Sequence, residues 1–231
     1  MKTVITFLLI ILMCTGETTA GAKKRKPLNK IQQDTIVIPE DIIFEVMQEE
    51  ITADKDSHVT EDTLSDGAVT ILGRPEVDVE TMYRYILSRN PEFDREIAEA
   101  FYHVGEIYGV RGDIALCQSA LETGWFKFTG GTAVTPDQHN YCGLGVTRLG
   151  LKGHSFDTIE DGVTAQIQHL YAYACNKPLP KGEVIIDPRF TLVTRGVAPT
   201  WQDLNNRWAM NSHYADRILT LFRQMKNFKW Q

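Results

Sequence analysis

The stretch "GDIALCQSALETGWFKF", residues 112–128, decides how the chain is read. A run of small and apolar residues leads to Glu122, and Thr123, Gly124 and Trp125 follow at once. The run predicts a helix over residues 111–124, capped by Asp113 and closed by Gly124. A carboxylate is thereby put where a helix runs out of core and meets a tryptophan. Two readings compete: a solvated helix end, and an acid held in a half-dry cleft.

Outward from that helix the pattern continues on both sides. "DVETMYRYILSR" (78–89) and "DREIAEAFYHVGEIYG" (94–109) space apolar residues at three and four, the period of amphipathic helices. Asn90-Pro91 separates them, and Gly109 ends the second. "TIEDGVTAQIQHLYAYAC" (158–175) opens with a Thr158…Asp161 box, and "TWQDLNNRW" (200–208) repeats that start with Thr200…Asp203. "SHYADRILTLFRQM" (212–225) is a last helix with Tyr214, Ile218, Leu221 and Met225 on one face. Residues 129–157, rich in glycine, read as loops with at most a short β-hairpin. The expected fold class is α+β, mainly helical, as one domain over residues 77–231 with a cleft at the loop-and-hairpin insert. A module of that length buries roughly 70% of its extended surface, enough for one core.

Residues 1–20 have another character. Lys2, the apolar run Val4–Met13 and Thr18-Thr19-Ala20 form the pattern of a secretory signal peptide, too short for a stable membrane anchor. Export to periplasm, envelope or medium is expected, with lipid attachment at Cys14 as an alternative. Residues 21–76 carry 7 Lys+Arg against 12 Asp+Glu and read as an acidic spacer or poorly ordered extension. Residues 77–231 carry 16 against 17. So balanced a module lacks the positive footprint that neutralises phosphates, which excludes nucleic acid as its partner. No later segment is apolar enough for a transmembrane span. Cys117, Cys142 and Cys175 lie among apolar or aromatic neighbours without a CxxC pair, and core packing is expected for at least two. The histidines show no HExxH or other ligand spacing, so neither a metal nor an organic cofactor is implied.

Glu122 carries the chemistry. Burial disfavours its charged form, and the partial negative charge of a helix C-terminus adds to that, so its pKa is expected to rise. A carboxyl that keeps its proton near neutral pH can protonate a leaving-group oxygen, the general acid's part in glycoside cleavage. Trp125 and Phe126 beside it offer faces on which sugars can stack.

Six separated blocks follow one another in the chain: "FYHVGEIYGVRGDIALCQSALETGWFKF", "VTPDQHNYCGLGV", "SFDTIEDGVTAQIQHLYAYA", "DPRF", "RGVAPTWQDLNNRWA" and "HYADRIL". Together they resemble the glucosaminidase domain of glycoside hydrolase family 73, across nearly all of residues 82–225. That family contains bacterial endo-β-N-acetylglucosaminidases that cut peptidoglycan. The resemblance implies a lysozyme-like, helix-rich fold with a small hairpin lobe beside a glycan groove. It also implies a monomeric hydrolase acting on peptidoglycan glycan strands, at the β-1,4 bond after N-acetylglucosamine.

By motif, Glu122 in "SALETGW" matches the family's catalytic acid, with Trp125 shaping the site. Asn140 and Tyr141 in "HNYCGLG" match a signature that lines the groove, and Tyr214 in "HYADRIL" matches a tyrosine facing the same site. Each has a plainer reading: Asn140 as a turn former, Tyr141 as a core aromatic, Tyr214 as part of the last helix's apolar stripe. Family members often carry a second carboxylate on the hairpin lobe, but residues 138–156 contain no Asp or Glu. Asp137 and Asp157 flank that stretch, and Asp161 fits a helix cap. The second group is then Asp137, or Asp157, or the substrate's own 2-acetamido group. Rival readings are a lytic transglycosylase or muramidase on the same fold, and a wall-binding module that has lost catalysis. A further rival is a cysteine peptidase using Cys142 or Cys117 with His139, His154 or His169.

Overall fold

The structure, a computed structural model, describes residues 67–129, 132–146 and 152–230. The expected signal peptide, Cys14, most of the 21–76 extension and residues 147–151 of the expected hairpin lie outside the described residues. Among the described residues five helices follow in order: α1 (Val79–Leu87), α2 (Arg95–Tyr108), α3 (Gly112–Thr123), α4 (Ile159–Ala174) and α5 (Tyr214–Lys226). Short 3-10 turns occupy Pro136–Gln138, Phe190–Leu192 and Gln202–Leu204. Among the described residues β-pairing is limited to isolated bridges, such as Thr70 with Thr200 and Leu72 with Val110. The domain is mainly helical, and the small hairpin is not among its described elements.

Burial sorts the helices into two kinds. α1, α2 and α5 are amphipathic, burying one stripe each. α3 and α4 are buried almost all round and form the centre. α2 packs on both of them, and α5 closes over α3. The α2–α3 crossing is close because glycine occupies both sides. A Cβ on Gly112 would lie 2.0 Å from the Phe101 carbonyl oxygen, and one on Gly105 would lie 2.9 Å from Gly112 Cα. Asp78, Asp94 and Thr158 cap α1, α2 and α4 through bonds to the backbone N–H of Thr81, Glu96 and Asp161.

Three sequence expectations are corrected here. Asp113 does not cap α3: the N-cap is Arg111, and Asp113 sits inside the first turn with no exposure. Its carboxylate accepts from Arg111 Nε at 3.0 Å and from the Glu76 N–H at 2.7 Å. The charge of a buried arginine, not a helix end, is what it satisfies. The Thr200–Asp203 bonds form as expected, Thr200 Oγ1 donating to Asp203 Oδ2 at 2.6 Å. They open only the short Gln202–Leu204 turn, not a helix over 200–208. The packed unit also begins before Val77. Ile71 is fully buried, its N–H donates to Pro199 O, and its carbonyl accepts from Arg111 N, so this segment ties the α2–α3 corner to the 199–202 strip.

Without Asp113, Arg111 keeps only the partly exposed Glu76 carboxylate at 2.7 Å, and the buried donors left unpaired cost about 1–3 kcal/mol. Asp113→Ala is therefore expected to lower the unfolding free energy by that amount in a urea titration. A loss below about 1 kcal/mol, the scale of an exposed pair, would contradict the reading.

Candidate active site

α3 ends in an unusual backbone. Gly124 closes it at φ 59°, and Trp125 and Phe126 follow at φ 61° and 59°. Left-handed backbone costs a side-chain-bearing residue on the order of 1–3 kcal/mol, so the surroundings must hold it in place. They do so from three directions. The Trp125 N–H donates to Ala120 O at 2.7 Å, and the Phe126 N–H donates to Thr123 Oγ1 at 2.9 Å. Asn90 Nδ2 donates to Trp125 O at 3.1 Å. Both rings are buried: Trp125 edge-on to Tyr85 and under the Arg89 guanidinium, Phe126 against Phe93. The turn leaves Glu122, on the last turn of α3, only half-buried.

Glu122 is the end of a chain of hydrogen bonds through the core. The Ser119 hydroxyl donates to Gln166 Oε1 at 2.8 Å. Gln166 Nε2 donates to Gln118 Oε1 at 2.9 Å, and also to the Ala115 carbonyl at 3.3 Å. Gln118 Nε2 donates to the Tyr214 oxygen at 2.9 Å, and the Tyr214 hydroxyl donates to Glu122 Oε1 at 2.5 Å. The Ala115 carbonyl can only accept, which fixes the Gln166 amide, and each later amide follows in the same sense. Every donor therefore points toward the acid. With Oε1 engaged as an acceptor, a proton carried by Glu122 belongs on Oε2.

Burial drives the Glu122 pKa above its ordinary value of 4.5, against the opposing pull of the Tyr214 bond and the Arg217 charge. Burial and the neighbouring Glu122 charge hold the Tyr214 hydroxyl protonated.

The other sequence candidates are placed as follows. Trp125 is 5% exposed and committed to the Tyr85–Arg89 contact, which corrects the expectation of a ring free to stack on sugar. Asn140 is 1% exposed and organises the loop: its Nδ2 donates to Leu144 O and His154 O, both at 2.9 Å, and its Oδ1 accepts from Leu144 N. Tyr141 packs among Phe101, Phe126 and Phe128, with no hydrogen bond or ring contact to Glu122 or Tyr214 among the described residues. Asn140 thus acts as the turn former and Tyr141 as the core aromatic. Asp137 and Asp157 are both exposed at opposite ends of the loop region. A bond with Thr135 and the adjacent backbone lower the Asp137 pKa. Asp161 caps α4 with Thr158.

Cys142 and Cys117 are buried, and burial raises both thiols well above their ordinary value. For Cys142 the Glu122 and Asp187 charges add to the effect, so neither thiol supplies a thiolate nucleophile. Gln118, Ser119 and Gln166 were not marked by sequence reasoning. The available signal was a polar residue recurring inside two helices that are otherwise apolar all round.

A mainly helical domain with one half-dry carboxyl at a helix end, aligned by a buried tyrosine, defines a lysozyme-like glycosidase class. The chain belongs to the glucosaminidase family: the family model described as mannosyl-glycoprotein endo-beta-N-acetylglucosaminidase matches residues 98–227. The family is one of peptidoglycan hydrolases, acting outside the cytoplasm. An uncharacterised protein of Borreliella burgdorferi is 36% identical over 162 residues, covering 68% of this chain and 78% of the relative. No solved structure matches. Among the described residues no helix is long and apolar enough to cross a membrane.

A folded carboxyl that binds its proton more tightly than an unfolded one adds stability below pH 4.5, and that stability is lost as pH rises through the folded value. Glu122→Gln keeps the acceptor for Tyr214 but cannot ionise. It is expected to raise the melting temperature at pH 7 and to match wild type below pH 4. A variant less stable than wild type at pH 7 would contradict the assigned burial.

Proposed function

We propose that the protein is an exported endo-β-N-acetylglucosaminidase that cleaves the β-1,4 bond between N-acetylglucosamine and N-acetylmuramic acid. The observation that carries this reading is the one-way hydrogen-bond chain ending on Glu122 Oε1. Glu122 protonates the glycosidic oxygen from Oε2 as the bond breaks. Tyr214 holds the carboxyl in orientation, and its hydroxyl stabilises the carboxylate left after transfer. Asn140 and Tyr141 support the groove from inside the protein, and Trp125 fixes the turn that presents the acid.

The second group of the reaction is assigned to the substrate. Asp137 and Asp157 are exposed and stand outside the chain that positions Glu122. The 2-acetamido oxygen of the sugar then attacks its own anomeric carbon, the substrate-assisted variant of glycoside cleavage. Water opens the resulting ring, with Glu122 now accepting the proton.

Digestion of purified peptidoglycan, borohydride reduction and mass spectrometry of the sugars test the reading. Wild type is expected to release reduced N-acetylglucosamine ends. Glu122→Gln is expected to lose about 10²-fold or more of the rate, the usual worth of a general acid. The double variant Asp137→Asn/Asp157→Asn is expected to stay within about threefold of wild type, the scale of a change outside the reaction. Anhydro- or reduced muramic acid ends would move the protein to the transglycosylase or muramidase reading. Undiminished turnover by Glu122→Gln would remove the acid.

A further inference from the structure

A cavity of about 460 Å³ has no part in the reaction just described. It lies between α4 and the 189–207 segment, lined by His169, Tyr173, Arg189, Asn206 and Arg207. His169 is 7% exposed, with Nδ1 2.8 Å from Asp187 Oδ2. Asp187 is 1% exposed and is itself fixed, its Oδ1 accepting from the Arg189 N–H at 2.8 Å. The imidazole meets Tyr173 and Trp208 edge-on, at centroid distances of 5.3 and 5.2 Å. A carboxylate facing Nδ1 keeps the proton on that nitrogen and leaves Nε2 as an acceptor, open to a donor such as an amide N–H. This is a built wall, not a surface accident.

The two arginines complete it. Neither guanidinium has a hydrogen bond or ion pair among the described residues, and both charges reach the Tyr173 hydroxyl. Two unpaired guanidiniums beside one buried carboxylate leave the cavity net positive. The planar fork of arginine suits a carboxylate, which it can hold by two parallel bonds. The cavity wall shares α4 with the hydrogen-bond chain that ends on the acid. His169 follows Gln166 by three residues on α4, about 4.5 Å of helical rise. The charges of both Glu122 and Asp187 act on the buried Cys142 thiol.

We propose that this cavity is a carboxylate subsite for the muramoyl branch of the glycan, with Arg189 and Arg207 gripping the anion. The assignment rests on the peptidoglycan reading and deepens it. It gives the protein a means to prefer wall glycan over an uncharged N-acetylglucosamine polymer. The branch offers carboxylates from two sources, the lactyl ether and the attached peptide.

The test is calorimetric binding by the full chain carrying Glu122→Gln, which spares the ligand. Three wall fragments of equal sugar length are compared: peptide-bearing, peptide-bearing with every carboxylate amidated, and peptide-stripped with its lactyl carboxylate free. Amidation is expected to weaken binding at least tenfold. Adding Arg189→Ala and Arg207→Ala is expected to erase that difference at an unchanged melting temperature. Should the double variant fail to fold, Arg207→Ala alone, at an exposed position, is expected to shrink the difference severalfold. Tighter binding of the stripped fragment than of the amidated one assigns the lactyl carboxylate, which is tied up as an amide in the other two, and no such gain assigns the peptide's. Equal binding of the intact and amidated fragments, with no tighter binding of the stripped one, would overturn the subsite and leave the hydrolase reading standing. Failure to bind any of the three would overturn both.

Discussion

The hydrogen bond from Tyr214 to Glu122 joins two demands that conflict at the end of α3. The carboxyl must be dry enough to hold a proton, yet a buried charge without a partner is costly. A single donor resolves this because it satisfies one oxygen and leaves the other for the substrate. The donor must be held in turn, and Gln118, Gln166 and Ser119 hold it with no exposure of their own. Each such bond contributes only about 1 kcal/mol net, while an orphaned buried partner costs about 1–3 kcal/mol. The chain is therefore a device for placing the Glu122 carboxyl more than a source of stability.

That requirement explains the rest of the architecture around it. α3 and α4 have to pass within side-chain reach for two glutamines to meet, and α5 has to start where Tyr214 can reach Gln118. The left-handed turn at residues 124–126 ends α3 abruptly, so that Glu122 stands at the rim and not within the core. Trp125 and Phe126 anchor that turn by burial. Their place beside the acid in sequence made them look like sugar platforms. Their place in the fold makes them ballast.

Much of this was legible in the residues. Helical spacing located α1, α2, α4 and α5, and the "SALETGW" and "HYADRIL" blocks pointed to the two side chains now found in contact. Asp113 was misread because a helix cap and a buried counter-ion share the same residue type and position. Only the packing of Arg111 separates them. Helical spacing continued past Leu204, but the backbone did not, because Asn205 turns to cap the start of α5 by accepting from Ala215 N. Gln118 and Gln166 stayed hidden because neither residue carries chemistry until the other is found opposite it. The His169–Arg189–Arg207 cavity was invisible for the same reason, its members being scattered over residues 169–207 without a motif.

The central claim is that the fold keeps Glu122 protonated above the range of an ordinary carboxyl. A pH titration of the Glu122 side-chain carboxyl by ¹³C NMR, on the full chain, tests it most directly. The account predicts a midpoint clearly above 4.5, moving higher still in Tyr214→Phe, where the donor that favours the ionised form is gone. A midpoint at or below 4.5 in wild type, or one that falls when the tyrosine hydroxyl is removed, would contradict it.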